Sequence, residues 1–143
     1  AFALNSVYNG SINIEKGEKM SEKYKIFQIK LTDAEVDIIN EEGHDAVHKN
    51  SLRLDMSLSK YDTAQVAADA FRRGYYTHVS NITTEGGLEG VFHVGNMGPE
   101  SSIERLSPMH SLSVGDIVED ATGMMSVVAD WGFKEVKSIE EKV

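Results

Sequence analysis

The sequence predicts an α+β domain: a mainly antiparallel sheet with two to three helices packed on it and a β-hairpin unit at its C-terminal end. Three observations carry this. Short runs rich in aromatic and β-branched residues, such as 24–31, have the composition and period of strands. Segments opening at Thr32 and Asp62 have the form of helix starts. Beyond Leu112 the chain holds only strand-like runs separated by turn residues.

In the first strand, Phe27, Ile29 and Leu31 share one face and Tyr24 and Ile26 the other, so both faces are apolar and the strand is expected to be central. Thr32-x-x-Glu35 has the form of a capping box, in which the hydroxyl and the carboxylate each satisfy an amide left free at the helix start. Val36, Ile39 and Ala34 are the expected buried stripe of that helix, and Gly43 its stop. The stretch 44–60 reads two ways. Leu52, Leu54, Met56 and Leu58 alternate with polar residues, which argues strand, yet 44–58 also fits a helix leading into the next. Asp62-x-x-Gln65 opens a second helix, with Val66, Ala67, Ala70 and Phe71 at helical spacing and Gly74 at its end.

A strand over 75–82 follows, with Tyr75, Thr77 and Val79 on one face and Tyr76, His78 and Ile82 on the other. Leu88, Val91 and Phe92 suit a short helix ending near Gly95-Asn96. Residues 97–108 hold both prolines and read as a loop. Strands are expected over 112–118, 124–130 and 133–136, with 119–123 as a hairpin turn and 140–143 as a frayed tail.

Composition bounds the function. The 143 residues amount to one domain, able to bury roughly 68% of its unfolded surface without staples. There is no cysteine, which removes disulfides, thiolate zinc sites and cysteine nucleophiles, and is compatible with a reducing cytoplasm. The net charge of −9 repels phosphate backbones, so a nucleic-acid partner is disfavoured; Arg72-Arg73 is the densest basic spot. No apolar run reaches the length of about 18 residues that a membrane helix needs, so no membrane partner is expected. Residues 1–19 read as an upstream extension or cloning scar ahead of a start at Met20, which leaves 20–143 as a single domain. The alternative is a native arm pairing with a neighbouring subunit through Ser11-Ile12-Asn13-Ile14.

Few residues carry candidate chemistry. His44 and His48 are four apart and would share a helix face, a spacing that suits metal chelation, but Asp45 stands where zinc enzymes have Glu and no third ligand is near. His78 and His93 have no acid or nucleophile at a recognisable spacing. His110, Ser111, Ser113 and Asp116 place an imidazole, two hydroxyls and a carboxylate within seven residues. A hydrolytic reading makes Ser111 or Ser113 the nucleophile, His110 the base and Asp116 its orienter. Against it, no Gly-x-Ser-x-Gly elbow is present, and short polar groups at a strand entry more simply hold their own backbone. The glycines at 86, 87, 90, 95 and 98 lack the lysine and the context of a phosphate loop, so no cofactor is implied. Trp131, the sole tryptophan, is expected to pack in the core beside Phe133, with a partner anchor as the alternative.

The run Leu88-Glu89-Gly90-Val91-Phe92 with Asn96, the segment His110-Ser111-Leu112-Ser113-Val114-Gly115-Asp116-Ile117-Val118, and Asp130-Trp131-Gly132-Phe133-Lys134-Glu135-Val136 together resemble the YodL-like domain of bacterial and mobile-element proteins. The likeness spans about 88–136. Gly115 stands where that family often has Ser, and Trp131 where a small residue is usual. The resemblance implies a phage or mobile-element origin and a cytoplasmic location, and no reaction. The expectation is therefore a small accessory protein that binds a protein partner or itself, without catalysis. The alternatives are a small hydrolase or nucleotide-processing enzyme centred on 110–116, and a β-barrel nucleic-acid binder suggested by Val114-Gly115-Asp116-Ile117-Val118.

Overall fold

Six strands and four α-helices make up the described part of the chain. In a computed structural model, which describes residues 21–136, the strands are β1 (Glu22–Ile29), β2 (Tyr76–Thr84), β3 (Ile103–Arg105), β4 (Ile117–Glu119), β5 (Met125–Val128) and β6 (Phe133–Glu135). The helices are α1 (Asp33–Glu42), α2 (His48–Ser57), α3 (Thr63–Arg72) and α4 (Gly87–Met97). The expected extension at 1–19 and tail at 140–143 lie outside the described residues.

The sheet runs β3-β2-β1-β4-β5-β6 with every pairing antiparallel, and β5 and β6 form the C-terminal hairpin. The class is α+β. β1 is central, and its alternation feeds two cores. Tyr24 and Ile26 pack with Val79, Ile82, Val91, Val94, Leu112 and Val118 under α4. Ile29, with Phe27 against it, packs with Met56, Ala67, Ala68, Ala70, Ile117 and Val127 under α2 and α3. The fully buried alanines of α3 leave no bulk on its inner face, so the helix lies close to the sheet.

The capping box of α1 forms as expected: Glu35 N donates to Thr32 Oγ1 at 3.1 Å and Thr32 N to Glu35 Oε1 at 2.8 Å. At α3, Asp62 caps by accepting from Ala64 N at 3.1 Å. One reading left open is decided and four expectations are corrected. The stretch 44–60 is a 3-10 turn at His44–Ala46 followed by helix α2; Leu52 and Met56 satisfy an i, i+4 pair as well as an alternation, and packing against α3 selects the helix. The expected stripe of α1 is not buried: Ala34 and Val36 are exposed and Ile39 is half-buried. Residues 97–108 contain β3, because the two prolines flank this short strand rather than interrupt it. The strand expected over 112–118 begins only at Ile117, since Gly115 takes φ +99° and turns the chain. In β2, register slips by one residue opposite Ile26 and Phe27 and leaves Val79 unpaired. This bulge moves Val79 and Ile82 onto one face, away from Tyr76.

The turn at 119–123 is held by Asp120. Its Oδ1 accepts from Thr122 N (2.9 Å), Thr122 Oγ1 (2.6 Å) and Met124 N (3.0 Å), and these bonds, led by the hydroxyl's, hold the carboxyl below its usual range.

The α4 core depends on one close approach. A Cβ placed on Gly95 would lie 2.6 Å from Leu112 Cδ1 and 2.9 Å from its Cγ, and Leu112 is itself buried. Gly95→Ala should therefore lower stability by about 1–2 kcal/mol, the overpacking cost outweighing the gain in helix propensity. Urea unfolding would show this as a lower midpoint at unchanged slope; an unchanged or higher midpoint would contradict the packing.

Candidate functional site

Gln28 is a lone amide in the apolar run of β1 and is fully buried. Its Nε2 donates to the His110 carbonyl (2.9 Å) and to Asp116 Oδ2 (3.0 Å), and its Oε1 accepts from His110 N (3.2 Å). Both amide hydrogens are thus used. The approach of Nε2 to His110 Nδ1 at 3.2 Å is then a contact and not a bond. Nδ1 lies 2.7 Å from the Ser111 carbonyl, an acceptor only, so Nδ1 carries the proton and donates there. Asp116 Oδ2 takes a second bond from Ser113 N (2.9 Å), and Asp116 N donates to the Ser113 carbonyl (3.0 Å). The Lys30 ammonium bonds the Pro108 carbonyl. Across the turn, Tyr76 donates to the Gly115 carbonyl at 2.6 Å, and Met56 Cε lies 3.4 Å from where a Gly115 Cβ would stand.

Asp116 and His110 border a small cleft of about 50 Å³ together with Arg53, Ser57 and Ser113. Burial pushes the Asp116 carboxyl up to about 6; the Ser113 amide, His110, Gln28 and Arg53 pull in the opposite direction without overcoming it. Burial, with the Asp116 carboxylate beside it, likewise raises the Tyr76 hydroxyl. The structure therefore gathers His110, Ser113 and Asp116, while Ser111 lines a separate depression of about 380 Å³ next to Pro99 and Arg105. Among the described residues no hydrogen bond joins either serine hydroxyl to the imidazole. What the polar groups hold is backbone: the loop 108–116 is tied to β1 by Gln28 and to the residue after that strand by Lys30, and to itself by Asp116.

His44 and His48 do not share a helix. His44 sits in the 3-10 turn, Val47 between them is extended, and His48 Nδ1 lies 2.9 Å from the Tyr75 hydroxyl. Among the described residues no cluster of three His, Asp or Glu could hold a metal ion. Arg72 and Arg73 both reach Asp69, at 3.5 and 3.2 Å. His78 lies against the Phe27 ring and its Nε2 is 2.8 Å from Asn81 Oδ1. No helix of the described residues is long and apolar enough to cross a membrane.

A groove of about 830 Å³ runs between α4 and the β5–β6 turn, lined by Leu88, Phe92, Met97, Val128 and Phe133, with Glu89, His93 and Asp130 at its edge. Trp131, between the groove residues Asp130 and Gly132, lines a separate depression with Ser59, Tyr61 and Lys134 and is 93% exposed, so the expectation that it packs in the core is wrong. The reason is local. Ala129 N bonds the Gly132 carbonyl at 2.8 Å and Gly132 takes φ +74°, which makes Asp130 and Trp131 the corners of a tight turn. Phe133, on the paired side, packs edge-on against Phe92 at 6.4 Å. Asp-Trp-Gly as a turn sequence is the signal that would have placed Trp131 outside. Gln28 was legible only as an amide out of place in an apolar strand.

No family model, curated protein or solved structure matches the chain. Site assignment therefore rests on the geometry.

The raised Asp116 carboxyl has a consequence with a definite sign. Its folded value lies above its ordinary 3.8, so the folded state holds this proton more tightly. Its contribution to stability is full below about pH 4, falls as pH rises towards 6, and is level above that. Asp116→Asn keeps an acceptor for Gln28 and Ser113 without the charge. The variant should gain on the wild type between pH 4 and 6, reaching on the order of 2 kcal/mol at neutral pH. Denaturant titrations at several pH values measure it. A difference that is constant with pH would contradict the assignment.

Proposed function

We propose that this chain is a small phage-type accessory protein that acts by binding another protein, without catalysis, through the face formed by α4 and the β5–β6 turn. The observation that carries the reading is Trp131, almost wholly exposed at a turn whose flanking residues Asp130 and Gly132 line an apolar groove. An exposed tryptophan at one end of this face, with Phe92 (41% exposed) and Met97 (77% exposed) along the groove, has the composition of an interface core. Apolar side chains gathered along an open groove mark an interaction surface. The likeness of 88–136 to the YodL-like domain supports a phage or mobile-element setting, and with it the cytoplasm of a bacterial host.

The polar loop 108–116 serves this face rather than a reaction. Leu112 packs against Gly95 of α4, one wall of the groove. Gly115 N bonds the Val128 carbonyl and Val128 N the Asp116 carbonyl, both at 2.9 Å, which fixes the other wall. One segment thus sets the spacing of both walls.

Immobilised chain should retain a protein from bacterial lysate. Trp131→Ala should lose it, while Val36→Ala, on the exposed side of α1, should keep it. Retention at control level by the wild type, or retention unaffected by Trp131→Ala, would contradict the reading.

A further inference from the structure

We propose that the depression between the α2–α3 connection and the β5–β6 turn binds a neutral saccharide, one sugar ring lying against Trp131 with its hydroxyls taken up by Thr63, Asp130 and Lys134. The inference does not rest on the docking reading: Tyr61, Thr63 and Lys134 line this depression of about 210 Å³ and not the α4 groove. One contact fixes its place. Ser59 takes φ +54°, in the left-handed region where a helix end commonly has glycine. The serine supplies what glycine lacks: its hydroxyl bonds the Asp130 carboxylate and ties the chain after α2 to the β5–β6 turn. Two aromatic side chains from distant parts of the sequence, Tyr61 (62% exposed) and Trp131, thereby border one recess.

The polar groups of the recess define the ligand. Thr63 is only 4% exposed, and among the described residues no hydrogen bond takes up its hydroxyl. A hydroxyl in so buried a residue calls for a partner, and the depression it lines is where one can enter. Asp130 offers a carboxylate that accepts. Lys134 offers an ammonium that donates and has no ion-pair partner among the described residues. An anion suits Lys134 but meets the Asp130 carboxylate and the chain's net charge of −9; a cation suits Asp130 but meets the Lys134 ammonium. A neutral ligand that both donates and accepts meets neither penalty. A sugar ring adds the remaining requirement, an apolar face: its C–H bonds lie against the aromatic ring while each hydroxyl at its edge can donate and accept. At about 210 Å³ the recess is smaller than a drug-sized pocket, which suits one ring with the rest of a saccharide in solvent.

The sole tryptophan is also the reporter. Methyl glycosides of glucose, galactose and N-acetylglucosamine are titrated into the full chain up to high millimolar concentration. At least one should shift the indole emission saturably and lower its quenching by acrylamide. Choline and oligothymidine, titrated alike, stand for the cationic and the stacked-base ligands. Tyr61→Ala should weaken glycoside binding by about fivefold or more. Thr63→Val keeps the shape of the side chain and removes its hydroxyl. Because that hydroxyl has no partner in the free chain, the variant should unfold at no lower urea concentration than the wild type, yet bind about fivefold more weakly. A residue with a merely structural role would not separate the two readouts. Absence of binding by all three glycosides overturns the inference, and so does binding unaltered by either substitution. Choline or oligothymidine binding more tightly than every glycoside overturns it as well.

Discussion

The buried amide of Gln28 is bonded to a loop 82 residues further along the chain, and the placement of that loop between α4 and the C-terminal hairpin depends on that contact. It is an expensive group to bury, since an unpaired amide in an apolar core costs several kcal/mol. All its hydrogens and its oxygen are used, by the His110 backbone and the Asp116 carboxylate. The loop cannot leave without stranding the amide, and the amide cannot be accommodated without the loop. The strand at the middle of the sheet therefore dictates where the segment between β3 and β4 lies.

From that contact the constraint spreads in two directions. Towards α4 it passes through Leu112, which fills the space that Gly95 leaves by having no side chain. Towards the C-terminal hairpin it passes through Asp116 and Gly115, which extend the β4–β5 ladder to Val128. The groove is the gap between these two arms. The His-Ser-x-Ser-Val-x-Asp pattern braces its own backbone: His110 Nδ1 bonds the Ser111 carbonyl, Asp116 Oδ2 accepts from the Gln28 and Ser113 amides, and both serines are exposed.

The elements that were legible in the sequence are those whose local signals agree with their packing. β1 alternates and is central; Thr32 and Glu35 form their box; Asp62 caps α3; Asp120 closes its turn. The elements that were not legible are those where a distant contact decides. Leu52 to Leu58 alternate as a strand would, and only the partner surface of α3 makes them a helix. The Val79 bulge is invisible in a sequence, yet it turns Ile82 to the other face. Within the candidate site, His110, Ser113 and Asp116 stand out by residue type, but Gln28, which holds them, is 82 to 88 residues away and has no motif. Trp131 was misplaced because an aromatic suggests a core unless its turn is recognised first.

Native-state hydrogen exchange in the wild type and in Gln28→Ala tests the scaffold most directly, read at the Ser113, Gly115 and Val128 amides that join the loop to itself and to β5. The account predicts that these amides open in the wild type only with the global unfolding of the molecule. In the variant they should exchange at least tenfold faster than the β1–β2 amides, whose own pairing is untouched. Fast exchange of the three amides in the wild type, or protection unaltered by the substitution, would show that the buried amide does not organise the groove.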